Sequence, residues 1–445
     1  IRFRRFILGL IVIVLVVSIQ VQPISSVESE VYDFCEFENP TELIRCQDGG
    51  FAIASVSAFL EYPTDYDFTL IKYDSFGALE WLHTYGTDQD EDSRQLIQCS
   101  DGGFLLAGYG YQDSWIVRTD SDGKQMWNQT VVGHDGYNQG ILELPSEEII
   151  IAGSVSGLNQ NEIRVTKLAS NGSLLWTKVI DNHPKYQWVR SVTFTMDDAI
   201  VLMGHSYYDS AIPDTRSHFW MMKLNASGDV AWQKTFIQRG DQTFSSGIET
   251  QDGGFILVGT WEYQWWLNAG DKIHVIRTDS GGNLLWERNY TRLEPHIETG
   301  SNAPIPEEST NGIDIIECAD NGYAILGVTN SVDYTPDNIF LVRLDSDGNS
   351  LWNQTIERDS VESPVSLIRQ PHTSEFVILS RTTTEEPHHS EDILLTFVAD
   401  EFPLPSTPTP TASGDASSLI ILYVIVGTSI FVTSVLLFDR YKRSK

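Results

Sequence analysis

The chain has 445 residues and a net charge of −32, with 61 Asp and Glu against 29 Lys and Arg. So acidic a chain repels phosphate backbones, which excludes nucleic acid as a partner. Hydrophobic residues make up 41% and charged residues only 20%, so the chain is not a disordered acidic tail. Aromatic residues reach 11%, a share that favours strands over helices. Four Cys in a chain of this length exclude a disulfide-stapled scaffold.

The two ends predict an extracellular protein held in the cell membrane by a single span. A basic start followed by the apolar run 6–17 indicates a secretory signal within residues 1–26. A cleaved signal peptide and a retained anchor both fit, because no clean cleavage site follows. The 20 uncharged residues 419–438 would extend about 30 Å as a helix, which is enough to cross a bilayer. The basic tail 439–445 then stays cytoplasmic, and the residues between the two ends lie outside.

Two further features fit an outer surface. Residues 403–418 are rich in Pro, Thr and Ser, and predict an extended stalk, since such a composition cannot bury a core. Five Asn-x-Ser/Thr motifs fall between the ends, as expected of a glycoprotein. The N-glycosylation candidates are Asn128, Asn171, Asn225, Asn289 and Asn353.

An internal repeat fills the middle of the chain. One unit runs from Cys99-Ser-Asp-Gly-Gly-Phe104 through Asp120-Ser-Asp-Gly123 to Trp127. It contains four short apolar runs separated by turn residues, which predicts four antiparallel strands, A to D, in about 50 residues. Six units close on a Trp: Trp81, Trp127, Trp176, Trp232, Trp286 and Trp352.

Repeated four-stranded units predict an all-β fold, a β-propeller in which each unit forms one blade. The seventh unit stops after its strand C, near Asp400. The run 31–37 is a candidate for its missing strand D, and this pairing would close the ring and remove exposed sheet edges. We therefore expect seven blades over residues 31–402, with six or eight as the alternatives.

The Asp-Gly-Gly-Phe units resemble the propeller repeats of archaeal and bacterial cell-surface proteins over residues 42–400. The hairpin that ends in Trp352 is also similar to the tryptophan-docking repeat of quinoprotein dehydrogenases. That second resemblance implies a quinone cofactor, a calcium ion and a vicinal disulfide. The chain has no adjacent Cys pair, and no calcium-ligand set matches by position. The resemblance therefore covers the blade and not the enzyme.

Six strands C carry a cation at one shared position. Repetition in every blade indicates a structural role, such as pairing with the Asp of the following turn, rather than a ring of anion ligands. The six cations are Lys72, Arg118, Lys167, Lys223, Arg277 and Arg343.

Three Cys share one repeat position: Cys46, Cys99 and Cys318. Other units have Thr195 or Thr250 there, which indicates a small core position and not a metal cluster. Cys35 is the one candidate partner for a disulfide with any of the three.

Sequence motifs for catalysis are missing: there is no His-Glu-x-x-His, no Gly-x-Ser-x-Gly and no phosphate-cradling loop. The acidic run 88–92 is expected to be a solvated loop, with a calcium site as the lesser alternative. No other cofactor or metal is predicted.

The connections B–C and D–A are long and varied, and variable loops on a rigid scaffold are where binding usually occurs. We expect strand B of the fifth unit to end at Gly259, which leaves a cluster of aromatic side chains in the following loop. Such a patch suits contact with a sugar or a peptide, or it folds back onto the neighbouring blade. The patch comprises Trp261, Tyr263, Trp265 and Trp266, with Tyr207 and Tyr208 beside it.

These features predict a membrane-anchored extracellular propeller that serves as a binding, adhesion or envelope-scaffold module. Its partner would be a glycan or another surface protein. The alternative is an extracellular enzyme, either similar to quinone-dependent dehydrogenases or active on polysaccharides. Two convergent acids and a His in the central channel would favour the enzyme.

Overall fold

The computed structural model describes residues 28–32, 37–58, 66–110, 113–133, 139–156, 161–180, 186–207, 217–262, 270–291, 309–330, 338–357, 362–370, 375–383 and 391–400. Within these ranges the chain forms seven antiparallel four-stranded sheets, which confirms the seven-bladed β-propeller. None of these residues belongs to a helix long and apolar enough to cross a membrane. The predicted signal, stalk, span and tail all lie outside the described residues.

Each of the first four blades is one consecutive group of strands. Blade 1 contains β2 (Phe37–Arg45), β3 (Phe51–Ala58), β4 (Asp67–Tyr73) and β5 (Leu79–Tyr85). Blade 2 contains β6 (Glu91–Gln98), β7 (Phe104–Gly110), β8 (Asp113–Thr119) and β9 (Gln125–Val131). Blade 3 contains β10 (Gln139–Glu143), β11 (Ile149–Ser156), β12 (Asn161–Leu168) and β13 (Leu174–Ile180). Blade 4 contains β14 (Tyr186–Phe194), β15 (Ile200–Tyr207), β16 (Ser217–Leu224) and β17 (Val230–Phe236).

The last three blades include the closure of the ring. Blade 5 contains β18 (Asp241–Glu249), β19 (Phe255–Glu262), β20 (Lys272–Thr278) and β21 (Leu284–Tyr290). Blade 6 contains β22 (Ser309–Glu317), β23 (Tyr323–Asn330), β24 (Asn338–Leu344) and β25 (Ser350–Ile356). Blade 7 contains β26 (Glu362–Arg369), β27 (Glu375–Thr383) and β28 (Glu391–Ala399), and takes its fourth strand, β1 (Glu28–Tyr32), from the start of the propeller.

The first strand of each blade lies innermost. These strands contact one another in sequence around the ring, from β2 through β6, β10, β14, β18 and β22 to β26, and β26 returns to β2. They surround a central channel. The blade faces between them bury apolar side chains in clusters that each join two neighbouring blades, so the core is a ring and not a single centre.

The closing strand is displaced from its predicted position. β1 begins at Glu28 and ends at Tyr32, where the sequence predicted a strand over 31–37. Glu28 pairs with Phe397 and Tyr32 with Ile393, so β1 does supply the outer strand of blade 7. Phe37 instead opens β2, the inner strand of blade 1. Apolar alternation alone could not place these bounds, because the pairing register with β28 decides them.

Removing β1 should leave β28 as an exposed edge strand with unpaired N–H and C=O groups. A fragment of residues 33–400 is therefore expected to melt at a lower temperature than one of residues 28–400, and to aggregate as its concentration rises. Calorimetry and light scattering compare the two fragments. Equal melting temperatures and two monomeric fragments would contradict closure by β1.

Each closing Trp docks on the next blade. Gly123 lies in the turn between β8 and β9, and a Cβ added there would stand 2.6 Å from the ring of Trp81 in blade 1. The backbone at Gly123 has φ of 76°, which also favours glycine. Trp81 packs edge-on against Phe104 of the same neighbouring blade. The same Trp-to-glycine contact recurs at Trp127 with Gly172, Trp176 with Gly228, Trp232 with Gly282 and Trp286 with Gly348.

The six repeated cations of strand C have a structural role inside their blades, as predicted, but they pair with a different acid from the predicted one. They pair with the acid of the A–B turn that precedes them, at 2.5–2.8 Å, and not with the Asp of the following turn. The extended side chain reaches back across strand B to that turn. Arg277 also donates from Nε to the hydroxyl of Tyr323 in the next blade, at 2.9 Å. The pairs are Lys72–Asp48, Arg118–Asp101, Lys167–Glu148, Lys223–Asp197, Arg277–Asp252 and Arg343–Asp320.

The shared Cys and Thr position is a small core position, as the sequence indicates. Cys46, Cys99 and Cys318 are buried and unbridged, and Thr195 and Thr250 are buried at the same place in their blades. Burial is the main cause that raises the pKa of all three thiols. Cys35, the predicted disulfide candidate, lies outside the described residues.

Candidate functional site in the central channel

A close backbone contact shapes the inner strands. A Cβ added to Gly108 in β7 would stand 2.0 Å from the backbone oxygen of Asp92 in β6. No side chain fits there, so the glycine lets the inner strand approach and bend at this point. The equivalent gap is 1.8 Å at Gly204, 2.1 Å at Gly259 and 2.6 Å at Gly327. This contact explains why glycine recurs four residues after the first residue of strand B.

Beside this contact the inner strands carry β-bulges. In β6 the pairing register shifts between Ser93 and Gln95, which leaves Arg94 without an opposite residue. Bulges bend a strand and re-aim its side chains, and they are common next to functional sites. Six of the seven inner strands show the shift, in every blade except blade 3. The bulged residues are Thr41, Arg94, Arg190, Ser245, Ile313 and Val365.

On each bulged inner strand one residue directly follows the bulged residue. We call these residues, together with the equivalent residue of blade 3, the channel ring. These seven residues occupy one register level, opposite the residue three after the start of strand B in blades 1 to 6 and four after it in blade 7. Around them the channel contains a cavity of about 620 Å³ lined by residues of all seven blades, a size typical of small-ligand sites. The channel ring consists of Glu42, Gln95, Gly140, Ser191, Ser246, Asp314 and Ser366.

Most side chains of the channel ring bind the backbone of the following blade. Gln95 Oε1 accepts the N–H of Ile141 at 2.8 Å, and Ser191 Oγ donates to the carbonyl of Gly247 at 3.0 Å. Asp314 Oδ2 accepts the N–H of Leu367 at 2.9 Å. The ring therefore joins successive blades at the channel wall, and these polar groups are largely satisfied by protein.

Glu42 departs from this pattern. Among the described residues its carboxyl has one hydrogen-bond partner, Ser366 Oγ, at 3.5 Å, which is long for such a bond. The same hydroxyl lies 3.3 Å from Asp314 Oδ2, so Glu42 and Asp314 converge on one serine. Burial, and then the charge of Asp314, raise the pKa of Glu42 to about 8. Burial also raises the pKa of Asp314. Burial and the neighbouring carboxyl thus both disfavour the ionised form of Glu42 at neutral pH.

The raised pKa makes stability depend on pH. Folding favours the protonated form of Glu42. The stability that protonated Glu42 contributes to the fold is therefore complete below pH 4.5, and it is lost as the pH rises towards 8. Glu42→Gln keeps a neutral side chain and should stabilise the fold at pH 8 by about 1–3 kcal/mol, with no gain near pH 4. Thermal melts of both proteins across this range measure the difference.

Asp122→Asn is the control, because Asp122 is exposed in a turn far from the channel. This variant should follow the native protein at every pH. A Glu42→Gln protein that loses stability with pH as steeply as the native one would show that Glu42 is already ionised in the fold.

The wall formed by blades 2 and 4 carries two arginines. Arg94 forms an ion pair with Asp92 on its own strand. Arg190 lies near His205, and burial, followed by the charge of Arg190, lowers the pKa of that imidazole to about 4. His205 is therefore neutral at physiological pH. Its Nδ1 is buried without a hydrogen-bond partner in the described part of the chain.

An aromatic ledge stands beside Arg190, which we define as Trp188, His205 and Tyr207. The rings of Trp188 and His205 stack with centroids 5.1 Å apart. Tyr207 meets Trp188 edge-on at 6.5 Å and is 38% exposed. Trp188 precedes Arg190 by two residues on β14, on the side of the strand that receives the long D–A connection. The ledge therefore belongs to the loop-rich end of the channel wall.

The structure relocates part of the predicted aromatic patch. Strand β19 continues through Trp261 to Glu262, so it does not end at Gly259. Trp261 pairs with Gln242 and Lys272, and its Nε1 donates to the carbonyl of Arg239 at 2.8 Å. Tyr207 likewise ends strand β15. In both blades the regular pairing with strand A therefore continues beyond the glycine. The remaining patch residues, Tyr208, Tyr263, Trp265 and Trp266, lie outside the described residues.

The acidic run 88–92 is not a single solvated loop. Glu91 is buried at the start of β6, where its carboxylate accepts hydrogen bonds from the N–H and hydroxyl of Thr87. Asp92 is partly buried and pairs with Arg94. Only residues 88–90 remain in the connection. Across the described ranges no three His, Cys, Asp or Glu residues are grouped so as to coordinate a metal ion.

The channel ring was not expected from the sequence, although the sequence contains a signal for it. Five of the seven ring residues stand four positions before the small core position of their own blade, as Glu42 stands before Cys46 and Asp314 before Cys318. Aligning the units on that position would have placed the ring residues in one column. Their chemical types differ, so residue identity alone gave no repeat to detect.

No protein-family model matches the chain, and no curated protein matches it either. Among solved structures, it resembles an ulvan lyase of polysaccharide lyase family PL25, with a TM-score of 0.54 and 11% identity over 84% of this chain and 96% of that one. The same lyase bound to -[GlcA(1-4)Rha3S]- gives a TM-score of 0.53 over the same shares of both chains, also at 11% identity. The polysaccharide lyase Uly1 gives 0.50 at 8% identity, over 83% of this chain and 92% of that one. At such identities the likeness concerns the fold.

Proposed function

We propose that this chain is a membrane-anchored extracellular binding module, and that its β-propeller takes a small polar ligand, or the tip of a larger one, in the central channel. The carboxyl of Glu42 carries the proposal. It faces a cavity of about 620 Å³ with one long hydrogen bond, while its neighbours in the channel ring bind the protein backbone. A poorly paired polar group at a partly buried wall favours a ligand that completes its hydrogen bonds.

The extracellular setting is proposed from the sequence, and the described surface is consistent with it. The side chains of all five sequon asparagines are exposed, so each could accept a glycan without disturbing the core. Three of them, Asn128, Asn289 and Asn353, lie on the outermost strands of their blades. Glycans there would surround the rim of the disc and leave the channel open.

The topology has a direct test. Protease added to intact cells should cut in the stalk 403–418 and release the propeller, while an epitope fused after Lys445 stays protected. Immunoblots of cells and medium follow both parts. Digestion of the epitope with the propeller left intact would reverse the proposed orientation.

The aromatic patch around Trp261 is proposed as a second contact surface, for a glycan or another surface protein. Trp261 is partly buried and is fixed by its bond to Arg239. It could therefore present a rigid base for the residues that follow it.

The acid pair favours one alternative, an enzyme active on polysaccharides. A neutral Glu42 beside a second carboxyl is an arrangement that supports general acid–base chemistry near neutral pH. The solved lyases of similar fold act on polysaccharides, which makes that substrate class the first to test. Loss of turnover in Glu42→Gln would support this alternative.

Filling the channel tests the binding proposal. Val365 lines the cavity, and Val365→Trp should occupy it with an indole ring. Native protein is screened by thermal shift against soluble sugars, amino acids, nucleosides and short peptides, since a ligand of the folded state raises the melting temperature. At least one probe should stabilise native protein and fail to stabilise Val365→Trp.

Val179→Trp makes the same substitution on the outer strand of blade 3, where Val179 is 48% exposed. This control should respond to the probe as the native protein does. A probe that stabilises Val365→Trp and native protein equally binds elsewhere, and that result would remove the channel from the proposed function.

A further inference from the structure

We propose that the ligand of the channel is a neutral oligosaccharide, which stacks a sugar ring on the aromatic ledge of blade 4 and hydrogen-bonds to Glu42 and Asp314 across the channel. This inference rests on the proposed function and names its ligand class. Neither Trp188 nor His205 was expected from the sequence to take part in binding.

The first step is the chemistry of the wall. Hydroxyls of Ser191, Ser245, Ser246 and Ser366 line the channel together with amides and carboxyls. Ser191 and Ser245 donate to backbone carbonyls, so their oxygens remain as acceptors for a ligand. Such groups match the alternating donors and acceptors of a polyol. A neutral carboxyl donates from its O–H to one sugar hydroxyl and accepts at its carbonyl oxygen from the next one. The Glu42–Asp314 pair supplies both kinds of partner at one place.

The second step is the charge of the wall. The cavity is lined by two arginines, Arg94 and Arg190, and by two acids, Glu42 and Asp314. Arg94 is also paired with Asp92. The cavity therefore presents no strong excess of positive charge that would select a carboxylate or a sulfate. The whole chain carries −32, which repels anionic polymers before they reach the disc. Both observations favour an uncharged ligand.

The third step is the aromatic ledge. Trp188 lies on β14, the strand that also supplies Arg190 and Ser191 to the channel wall, and the other two rings lie on the neighbouring strand β15. The charge of Arg190 acts on His205. Tyr207 is exposed, and Trp188 stacks on His205, which fixes the plane of the indole. A rigid aromatic surface next to a polar cavity presents a stacking face and hydrogen-bonding groups to one ligand.

The test uses the full chain and isothermal titration with three probes: neutral glucan and mannan oligosaccharides, oligouronates of equal length, and a short neutral peptide. A neutral oligosaccharide should bind native protein, and Tyr207→Ser should weaken it about tenfold while Tyr207→Phe keeps the affinity. Trp188→Leu should weaken it further, provided that its melting temperature matches the native value. Tyr207 is exposed, so its variants keep the test valid if Trp188→Leu fails to fold.

The acid pair is tested with the same sugar. Glu42→Gln should retain binding at pH 7, because the amide also donates, and Glu42→Leu should lose at least tenfold in affinity. Val365→Trp should abolish binding.

Three other results would overturn the proposal in distinguishable ways. Preference for oligouronates would contradict the neutral ligand class. Peptide binding that Val365→Trp abolishes would reject a carbohydrate but keep the channel as the binding site. Sugar binding unchanged in both Tyr207→Ser and Val365→Trp would reject the channel together with the proposed function.

Discussion

The contact between a glycine of strand B and a backbone oxygen of strand A determines the geometry of the channel. At Gly108 the inner strand lies so close that even a methyl group would collide with the oxygen of Asp92. The bulge beside this contact shifts the pairing register at Arg94 and turns the next residue, Gln95, towards the following blade. The bulge also recurs opposite Ser55 in blade 1, so glycine favours the approach but is not required for it. A packing constraint of the scaffold thereby creates the position where function can vary.

Three sets of contacts, at increasing depth from the rim to the channel, hold the scaffold around that position together. At the rim, a Trp of each of the first five blades docks on the glycine turn of the next. In the middle, the strand C cation closes each of the first six blades onto its own A–B turn. At the channel, ring side chains bind the backbone of the following blade. Repeated fastening keeps the wall rigid, which lets a polar group such as Glu42 stay poorly paired without a collapse of the channel onto it.

The repeat predicted the fold and the blade count, because turn chemistry and Trp recur in every unit. It predicted a structural role for the strand C cations but the wrong partner, since only the register shows which turn lies within reach of Lys72 or Arg277. The ends of strands β15 and β19 could not be predicted, because pairing continues past glycine without any apolar alternation. The channel ring could not be predicted either, because its position is the same in every blade while its residue type changes from blade to blade.

The channel ring has a fixed position in every blade but a varied residue type, and this difference points to a role beyond the scaffold. A repeat that served only the scaffold would use one kind of side chain at the ring, as it uses Trp at the rim and a cation in strand C. The ring instead gathers its two acids in blades 1 and 6, on either side of blade 7. Blade 7 is closed by β1, and its Ser366 is the residue on which Glu42 and Asp314 converge. The chemistry of the channel therefore depends on blade 7, because its inner strand β26 holds the serine between the two carboxyls, and β1 completes the sheet to which β26 belongs.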